Sequence, residues 1–336
     1  MAPELDLLMF PQPGRAAEVG AMVEAAGWDG IYLADTQNLA ADVHVTLGIM
    51  ATATERLRLV TGVTNPITRH PAVTATAIAT VHAASGGRAV LGIGRGDSSL
   101  GYLGRKPASV DVFETYVARV RGFLNGEDVE LDDGVSRNRW IAERGVAPVP
   151  IDVAATGPRV IGVAARLADR VTFGVGADPA RLRDAVALLR SERKAAGLDP
   201  DGVSVGAYVN TVAHPDVDVA REIVRGGAAS FAHFSGMAGA PKHDGPDGAI
   251  FEAIGTGYDM EGHGAAGSAH AASLPDEFLD RFAVAGPVDR CVARLGDLVE
   301  AGAERLVVVP GSRDADPTAI FANLTTLATE VLPRLR

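Results

Sequence analysis

Small, polar and glycine residues follow two apolar runs of the chain, at the points where those runs end. The first set is Thr61, Gly62, Val63, Thr64 and Asn65, and the second is Gly94, Arg95, Gly96 and Asp97. Glycine has no side chain, so a flat ligand can lie directly against main-chain amides at such positions. The same glycines can simply turn the chain, because glycine is the default turn residue. The pattern therefore predicts a surface for a ring-shaped cofactor, with plain turns as the alternative.

An anion site is predicted at a helix start in the middle of the chain. The residues there are Ala155, Thr156, Gly157, Pro158 and Arg159. Gly157 and Pro158 begin a helix whose free amides and positive dipole suit a phosphate, with Thr156 as a hydroxyl donor and Arg159 as the counter-charge. Thr156 can alternatively act only as an N-cap. The small residues after the next strand, Gly174, Val175 and Gly176, are expected to face the same anion.

Three titratable residues are candidates for chemistry. Asp35 ends an apolar strand and can accept a hydrogen bond from a ring N–H or a hydroxyl, or it can cap the following helix, although Asp42 lies nearer to that start. Asp97 can orient a substrate or cap the segment beyond it. His263 can donate a proton to the substrate. Metal, serine and P-loop motifs are absent, which disfavours metal hydrolysis, serine hydrolysis and phosphoryl transfer.

The elements that must position these residues alternate between strand and helix along most of the chain. Apolar strand patterns occupy residues 5–10, 30–34, 57–62, 89–93, 151–155, 170–173, 203–212 and 305–309, and a helical pattern follows each of them. Eight such units predict one (β/α)8 TIM barrel over residues 1–336, with its active site in the loops after the strands. A doubly wound open sheet is the competing fold, but no strand leads into G-x-G-x-x-G at a helix start.

Two insertions interrupt this alternation. Residues 125–150 contain Asp132, Asp133 and Gly134 and are predicted to form a hairpin or excursion. Residues 231–286 are rich in Gly, Ala and His, and we expect helices at 248–254 and 275–281 within them. Loops of this length are usually functional lids or disordered linkers. A lid over the barrel mouth is favoured because the segment has no run of like charge.

Composition limits the class of protein. The 336 residues are 47% hydrophobic and contain one cysteine, Cys291, which is expected to be a buried small hydrophobe in a helix. The net charge of -11 argues against general binding to nucleic acid or anionic membranes. No secretory signal or membrane span is recognised. We therefore expect a cytoplasmic protein with a small-molecule substrate.

Several segments resemble one family. Residues 64–74 (TNPITRHPAVT) and 85–97 (SGGRAVLGIGRGD) are similar to characteristic segments of the luciferase-like flavin and deazaflavin oxidoreductases, in the branch that includes methylenetetrahydromethanopterin reductase. Residues 153–160, 168–171 and 282–287 resemble later segments of that branch in the same order. The resemblance covers nearly the whole chain apart from the second insertion.

The resemblance implies a barrel that binds coenzyme F420, an 8-hydroxy-5-deazaflavin, or FMN. It implies a cis peptide between Gly62 and Val63 that presses on the back of the ring, and contact between Asp35 and the ring's polar edge. It further implies that residues 61–65 and 94–97 line the ring, that residues 155–159 and 174–176 hold the phosphate, and that the protein is a homodimer.

One position departs from part of this family. Some deazaflavin dehydrogenases carry histidine directly after the aspartate of the second strand, whereas this chain has Thr36, so a sugar-phosphate dehydrogenase that depends on that base is disfavoured. The leading hypothesis is hydride transfer between C5 of F420 and a small organic substrate. The alternatives are an FMN monooxygenase that works with a partner flavin reductase, and a cofactor carrier without catalysis.

Overall fold

In the computed structural model, which describes residues 2–237 and 246–336, parallel strands close into a barrel surrounded by helices. The strands are β1 (Glu4–Met9), β2 (Gly30–Leu33), β3 (Arg58–Thr61), β4 (Ala89–Ile93), β5 (Asp128–Leu131), β6 (Gly134–Arg137), β7 (Ile151–Ala155), β8 (Arg170–Phe173), β9 (Ser204–Ala213), β10 (Val284–Gly286) and β11 (Arg305–Val309). The hydrogen-bonded order is β10-β9-β11-β1-β2-β3-β4-β7-β8, and an additional pairing of β9 with β8 closes the ring. The predicted (β/α)8 barrel is confirmed.

Helices connect the strands. They are α1 (Ala16–Ala25), α2 (Val43–Ala53), α3 (Pro71–Ala84), α4 (Ser98–Gly101), α5 (Val110–Leu124), α6 (Arg139–Arg144), α7 (Pro158–Leu167), α8 (Pro179–Ala195), α9 (Val217–Gly236), α10 (Pro246–Gly257), α11 (Ala269–Ala272), α12 (Asp276–Phe282), α13 (Val288–Glu300), α14 (Pro317–Thr326) and α15 (Leu332–Leu335), with a π-helical turn at Leu327–Val331. Asp42, Asp178 and Asp216 accept hydrogen bonds from first-turn amides of α2, α8 and α9. These N-caps fix where the three helices begin.

The first insertion contains the predicted hairpin. Strands β5 and β6 pair in antiparallel fashion, with Leu131 opposite Gly134, so Asp132 and Asp133 form a two-residue turn. Helix α6 follows the hairpin and was not anticipated, because its six residues carry too little periodicity to be recognised.

The second insertion is folded where the structure describes it. The predicted helices at 248–254 and 275–281 are confirmed as α10 and α12, each with slightly different ends. Two predicted boundaries are wrong: α9 continues to Gly236, past the expected start at residue 231, and residues 284–286 form β10, which pairs with β9. Residues 238–245, including His243, lie outside the described residues.

The chain divides into two compact units. The first unit consists of Leu8–Ala154 and Val163–Val171, and the second consists of Met1–Leu7, Ala155–Gly162 and Thr172–Arg336. In the first unit, the buried Tyr32 hydroxyl donates to the Asp152 carboxylate over 2.7 Å. This bond fixes Tyr32 in β2 against β7.

A fully buried arginine organises the strands of the second unit. Arg305 in β11 donates to the hydroxyls of Thr172 and Ser204 over 3.0 and 3.1 Å, and its Nε lies 4.0 Å from a carboxylate oxygen of Asp6. A Cβ on Gly206 would lie 2.7 Å from this guanidinium. Glycine is therefore needed in β9 to leave room for a charge that must be paired where it is buried.

The second insertion builds its own apolar core on α9. The α9 residues Ala228, Ala229 and Ala232 are completely buried, and their small side chains allow close packing of the neighbouring helices. The rings of Phe278 and Phe282 stack at 4.9 Å on the other side of this core. A disordered linker would not bury these groups, so the described part of the insertion is a folded element.

Candidate functional site

The backbone after β3 forms a bulge in the first unit. The peptide bond between Gly62 and Val63 is cis, as the resemblance implies. The amide of Gly62 donates to Leu33 in β2 over 2.7 Å, and a Cβ on Gly62 would lie 2.8 Å from the Cβ of Tyr32. Gly62 therefore packs directly on β2, where any side chain would collide.

The glycines after β4 serve different purposes. Gly96 has φ +84°, a left-handed conformation that turns the chain, so this glycine acts as a plain turn residue. Gly94 lacks a positive φ, and a Cβ there would lie 3.0 Å from a methyl group of Val63. Its amide donates to the carbonyl of Thr64 over 2.9 Å. Gly94 thus lets the backbone after β4 lie close to the bulge.

Asp35 after β2 is buried and is paired with a partly buried arginine. Both of its carboxylate oxygens accept hydrogen bonds from the guanidinium of Arg69, and Gln37 donates to the same carboxylate over 2.6 Å. The exposed fraction of the side chain is 2% for Asp35 and 15% for Arg69. Burial lowers the pKa of Arg69, but the hydrogen bonds and charge of Asp35 more than offset this, so the net pKa is raised. Asp35 is therefore occupied as the acceptor in a bidentate ion pair.

A second carboxylate and a histidine lie beside this pair. Asp42, and not Asp35, caps α2, as its position nearer to the helix start suggested. The Asp42 carboxylate also accepts a hydrogen bond from Arg69 over 3.2 Å. The ring of His44 forms no hydrogen bond within the described chain, and its Nε2 is buried. Burial and the charge of Arg69 lower the pKa of His44 below 6.5, although Asp35 and Asp42 act in the opposite direction. His44 is therefore neutral near pH 7.

The loop that carries Arg69 is fixed at both ends. Asn65 is completely buried, and its amide oxygen accepts from the backbone amides of Ile67 and Thr68 over 3.0 and 3.1 Å. The Tyr116 hydroxyl donates to the carbonyl of Arg69 over 2.9 Å. Burial raises the pKa of Tyr116 to about 12, so this hydroxyl keeps its proton. The guanidinium is thus preorganised before any ligand arrives.

Asp97 begins the short helix α4. Within the described chain its side chain makes no cap hydrogen bond to that helix, whereas its carbonyl accepts from Leu100 over 3.0 Å. The capping role considered for this carboxylate is therefore not observed, and the substrate or cofactor role stays a prediction.

The predicted anion loop lies in the second unit. Helix α7 begins at Pro158, as expected, and the Thr156 hydroxyl donates to the carbonyl of Gly174 over 3.4 Å. Among the described residues, nothing lies within 4 Å of the position that a Cβ on Gly157 would take. Arg159 is exposed. The loop therefore presents its backbone to open space at a helix start, as an anion site requires.

Aromatic rings surround the glycines after β8. A Cβ on Gly174 would lie 3.1 Å from the Thr156 hydroxyl and 3.6 Å from the ring of Phe231. The Phe231 ring centroid is 5.6 Å from that of Tyr208 in β9. Gly176 has φ +80°, which restricts this position to glycine. Val175 between the two glycines is buried, so its side chain adds little to the exposed surface here.

His263 belongs to a hydrogen-bonded group in the second insertion. Its Nδ1 lies 2.7 Å from the hydroxyl of Tyr258, which is in turn 3.0 Å from the hydroxyl of Ser230 in α9. The Arg313 side chain donates to the carbonyl of His263 over 2.9 Å. His263 is therefore held by Tyr258 and Arg313, and Tyr258 is in turn bonded to Ser230.

The structure gathers the predicted residues in two places. The first unit contains Asp35, residues 61–65 and residues 94–97, and the second contains residues 155–159, residues 174–176 and His263. No cluster of potential metal ligands is found among the described residues. In the same part of the chain, every helix is too short or too polar to cross a bilayer.

Sequence reasoning missed Arg69 and Tyr258. Arg69 stood within a recognised segment, but nothing in the sequence links it to Asp35, which is 34 positions away. Tyr258 lies in the second insertion without periodic neighbours. Both residues matter because of contacts that only the tertiary structure creates.

A closed parallel barrel with glycine-rich, polar strand ends defines an enzyme of the TIM-barrel class, in which the loops after the strands form the active site. The chain belongs to the luciferase-like monooxygenase family, whose family model matches residues 3–305. The resemblance seen in the sequence is thereby confirmed.

Two named relatives are reductases. The chain is 30% identical over 302 residues to the 5,10-methylenetetrahydromethanopterin reductase of Methanolobus tindarius, an alignment that covers 87% of this chain and 89% of the relative. It is 29% identical over 324 residues to the same enzyme of Archaeoglobus fulgidus, covering 94% of both chains. A shorter match of 33% over 167 residues, covering 44% of this chain and 48% of the relative, is to the F420-dependent glucose-6-phosphate dehydrogenase of Beutenbergia cavernae.

A solved structure has the same fold. The coenzyme F420 dependent tetrahydromethanopterin reductase from Methanopyrus kandleri superposes with a TM-score of 0.75 over 100% of both chains, at 24% identity.

Proposed function

We propose that this protein is an oxidoreductase that transfers a hydride between C5 of coenzyme F420 and a small organic substrate. The main support is exposed backbone at strand ends in each unit: Gly94 lies against Val63 in the first unit, and Gly157 faces open space in the second. Relatives named for F420 favour the deazaflavin over FMN. The cofactor supplies the carbon that accepts or releases the hydride, and the protein supplies position and exclusion of water.

In this proposal, the first unit binds the ring. The bulge and the glycines after β4 offer amides and carbonyls without intervening side chains, which suits a planar heterocycle. The proposed contacts are Asp35, Thr61, Gly62, Val63, Thr64, Asn65, Gly94, Arg95, Gly96 and Asp97. Because Asp35 already accepts from Arg69 and Gln37, we assign it to positioning the polar edge of the site rather than to proton transfer.

The second unit would bind the phosphate. The start of α7 supplies free amides and the positive end of the helix dipole. The proposed contacts are Ala155, Thr156, Gly157, Pro158, Arg159, Gly174, Val175 and Gly176. The exposed Arg159 guanidinium supplies further hydrogen bonds, and the Thr156 hydroxyl would donate to the phosphate by giving up its bond to the Gly174 carbonyl.

His263 and Asp97 remain the proposed proton-transfer groups. A hydrogen bond from the Tyr258 hydroxyl to Nδ1 of His263 would leave the proton of the neutral ring on Nε2, from which it can be donated. Proton transfer is required only for substrates in which the hydride moves together with a proton, as between a carbonyl and an alcohol.

Titration of the purified protein with F420, FMN and a deazaflavin lacking the phosphate-bearing tail tests the proposal. We expect micromolar binding of F420 and at least tenfold weaker binding of FMN. Arg159→Ala should weaken F420 more than the tail-free ring. Tight binding of FMN with no binding of F420 would instead identify an FMN monooxygenase that needs a partner flavin reductase. If Arg159→Ala lost the same binding affinity for both deazaflavins, Arg159 would have a structural role and would not contact the phosphate.

We further propose a homodimer formed through α2 and α3. Neither helix contains a single Asp, Glu, Lys or Arg. Val45, Ile49 and Val73 nevertheless expose 65%, 46% and 55% of their surface. Apolar helix faces of this kind are covered in stable assemblies.

A cytoplasmic location is also proposed. The one cysteine, Cys291, is buried, and burial raises its thiol pKa to about 11, so it stays a protonated, unreactive thiol in a reducing compartment. Cell fractionation that places the protein outside the cytoplasm would contradict this.

A further inference from the structure

Tyr258 is sandwiched between two histidine rings of the second unit. The ring centroid of His233 in α9 lies 3.9 Å from that of Tyr258 with an angle of 17° between planes, and that of His270 in α11 lies 4.1 Å away on a ring tilted by 36°. We call residues 258–272 the docked segment, because this stack joins them to α9. The Tyr258 hydroxyl adds a bond to Ser230 over 3.0 Å.

The hydrogen bonds of His270 require a neutral ring. The backbone amide of Asp259 donates to Nδ1 over 3.4 Å, and the Ser268 hydroxyl lies 3.0 Å from Nε2. An amide can donate to Nδ1 only when that nitrogen carries no proton. A second proton on the ring would therefore remove the acceptor for the Asp259 amide, and would place a cation in a site that is 6% exposed.

The charges that face His270 come from two elements. Burial lowers its pKa below 6.5, Asp259 acts to raise it, and His233 acts to lower it further, with a net decrease. From α9, Arg225 approaches the end of α11 by donating to the carbonyl of Leu274 over 2.7 Å. Its charge is balanced by Asp276, 3.0 Å away.

Two further charged residues, Arg313 and Asp314, hold the docked segment. Arg313 donates to the carbonyls of Glu261 and His263 over 3.0 and 2.9 Å. Asp314 accepts from the amides of Ala266 and Gly267, and these bonds outweigh burial and lower its pKa, so it stays ionised. Within the stack, His270 is the ring whose hydrogen bonds require the neutral form.

We propose that His270 is a pH-sensitive latch that holds the docked segment on α9 when neutral and releases it when protonated. In the released segment, His270 has the ordinary pKa of a histidine. It therefore binds a proton more strongly there than in the docked segment, where its pKa is lowered. Opening therefore becomes more favourable as the pH falls below about 6.5, by at most about tenfold per pH unit for one proton. Above that pH the attachment is complete. The proposal does not depend on the identity of the cofactor or substrate.

Hydrogen exchange of the cofactor-free protein, followed by mass spectrometry between pH 7.5 and 5.0, tests the latch. After correction for intrinsic exchange, the opening constant of peptides within 258–272 should rise up to tenfold per unit below about pH 6.5, while β11 peptides stay constant. His270→Phe keeps an aromatic ring in the stack but cannot titrate, so its opening should not depend on pH. His214→Gln removes a histidine outside the stack and should behave like the unchanged protein.

Two outcomes would overturn the latch: an opening constant that does not change with pH in the unchanged protein, or acid opening that persists in His270→Phe. If the docked segment of His270→Phe is already open at pH 7.5, a pH titration of the Cε1 proton resonance of His270 in the unchanged protein replaces that variant as the test. Its titration must then have the same midpoint as the opening, and a different midpoint would refute the proposal. Failure of F420 binding would leave every one of these measurements unaffected.

Discussion

Replacement of Arg69 by Met should destabilise the first unit by about 3–5 kcal/mol, the cost of removing one partner from a buried ion pair. The guanidinium lies 3.1 Å from a carboxylate oxygen of Asp35, a separation at which the Coulomb attraction is about 5 kcal/mol for an effective dielectric constant of about 20. In Arg69→Met, the Asp35 carboxylate keeps only Gln37 as a donor in a site that is 2% exposed. Most of the loss therefore comes from the charge left behind.

A double-mutant cycle measures this pair directly. Asp35→Asn, Arg69→Met and the double variant should be compared by urea unfolding, followed by tryptophan fluorescence. Both tryptophans, Trp28 and Trp140, lie in the first unit and report on its unfolding. Because the double variant leaves no unpaired charge at position 35, and Asp42, which also loses Arg69, is 49% exposed, it should be more stable than Arg69→Met alone, with a coupling energy of about 2–4 kcal/mol.

The matched control is an exposed ion pair of the same unit. Arg137 on β6 lies 2.8 Å from Asp128, but the exposed fractions are 47% and 62%, so Arg137→Met should cost less than about 1 kcal/mol. A coupling energy below about 0.5 kcal/mol between Asp35 and Arg69, or equal effects of Arg69→Met and Arg137→Met, would refute the role assigned to the buried pair.

Two further predictions concern packing and assembly. Gly62→Ala should lower the free energy of urea unfolding by about 1–3 kcal/mol, because the new Cβ would lie 2.8 Å from that of Tyr32. The control Gly48→Ala, at a helix position with open space around it, should be neutral or stabilising. Equal effects of the two changes would contradict the packing argument. The double change Val45→Glu and Ile49→Glu should convert a dimer to a monomer in light scattering, while Val135→Glu, 66% exposed on the hairpin, should not; a dimer that survives the double change would exclude this interface.

Local chemistry explains why most elements were predictable. The helix starts at Asp42 and Pro158 carry N-terminal signals within a few residues, and the hairpin turn at Asp132 and Asp133 is similarly local. Where the signal was weak, prediction failed: β10 has only three residues and is defined by its pairing with residues of β9 that lie 73 positions earlier in the chain. The end of α9 was misplaced because a stretch rich in Gly, Ala and Ser has little helical periodicity.

The sequence by itself determined the barrel, its strand ends, and the small residues that leave the backbone open there. Alternation of strand and helix and the spacing of glycines are properties of neighbouring residues, so they can be read along the chain. Only the tertiary structure decided that Arg69 pairs with Asp35, that the Thr156 hydroxyl donates to Gly174, and that Tyr258 stacks between two histidines. These contacts join residues 12 to 34 positions apart, and their strength comes from burial, which exists only once the chain has folded.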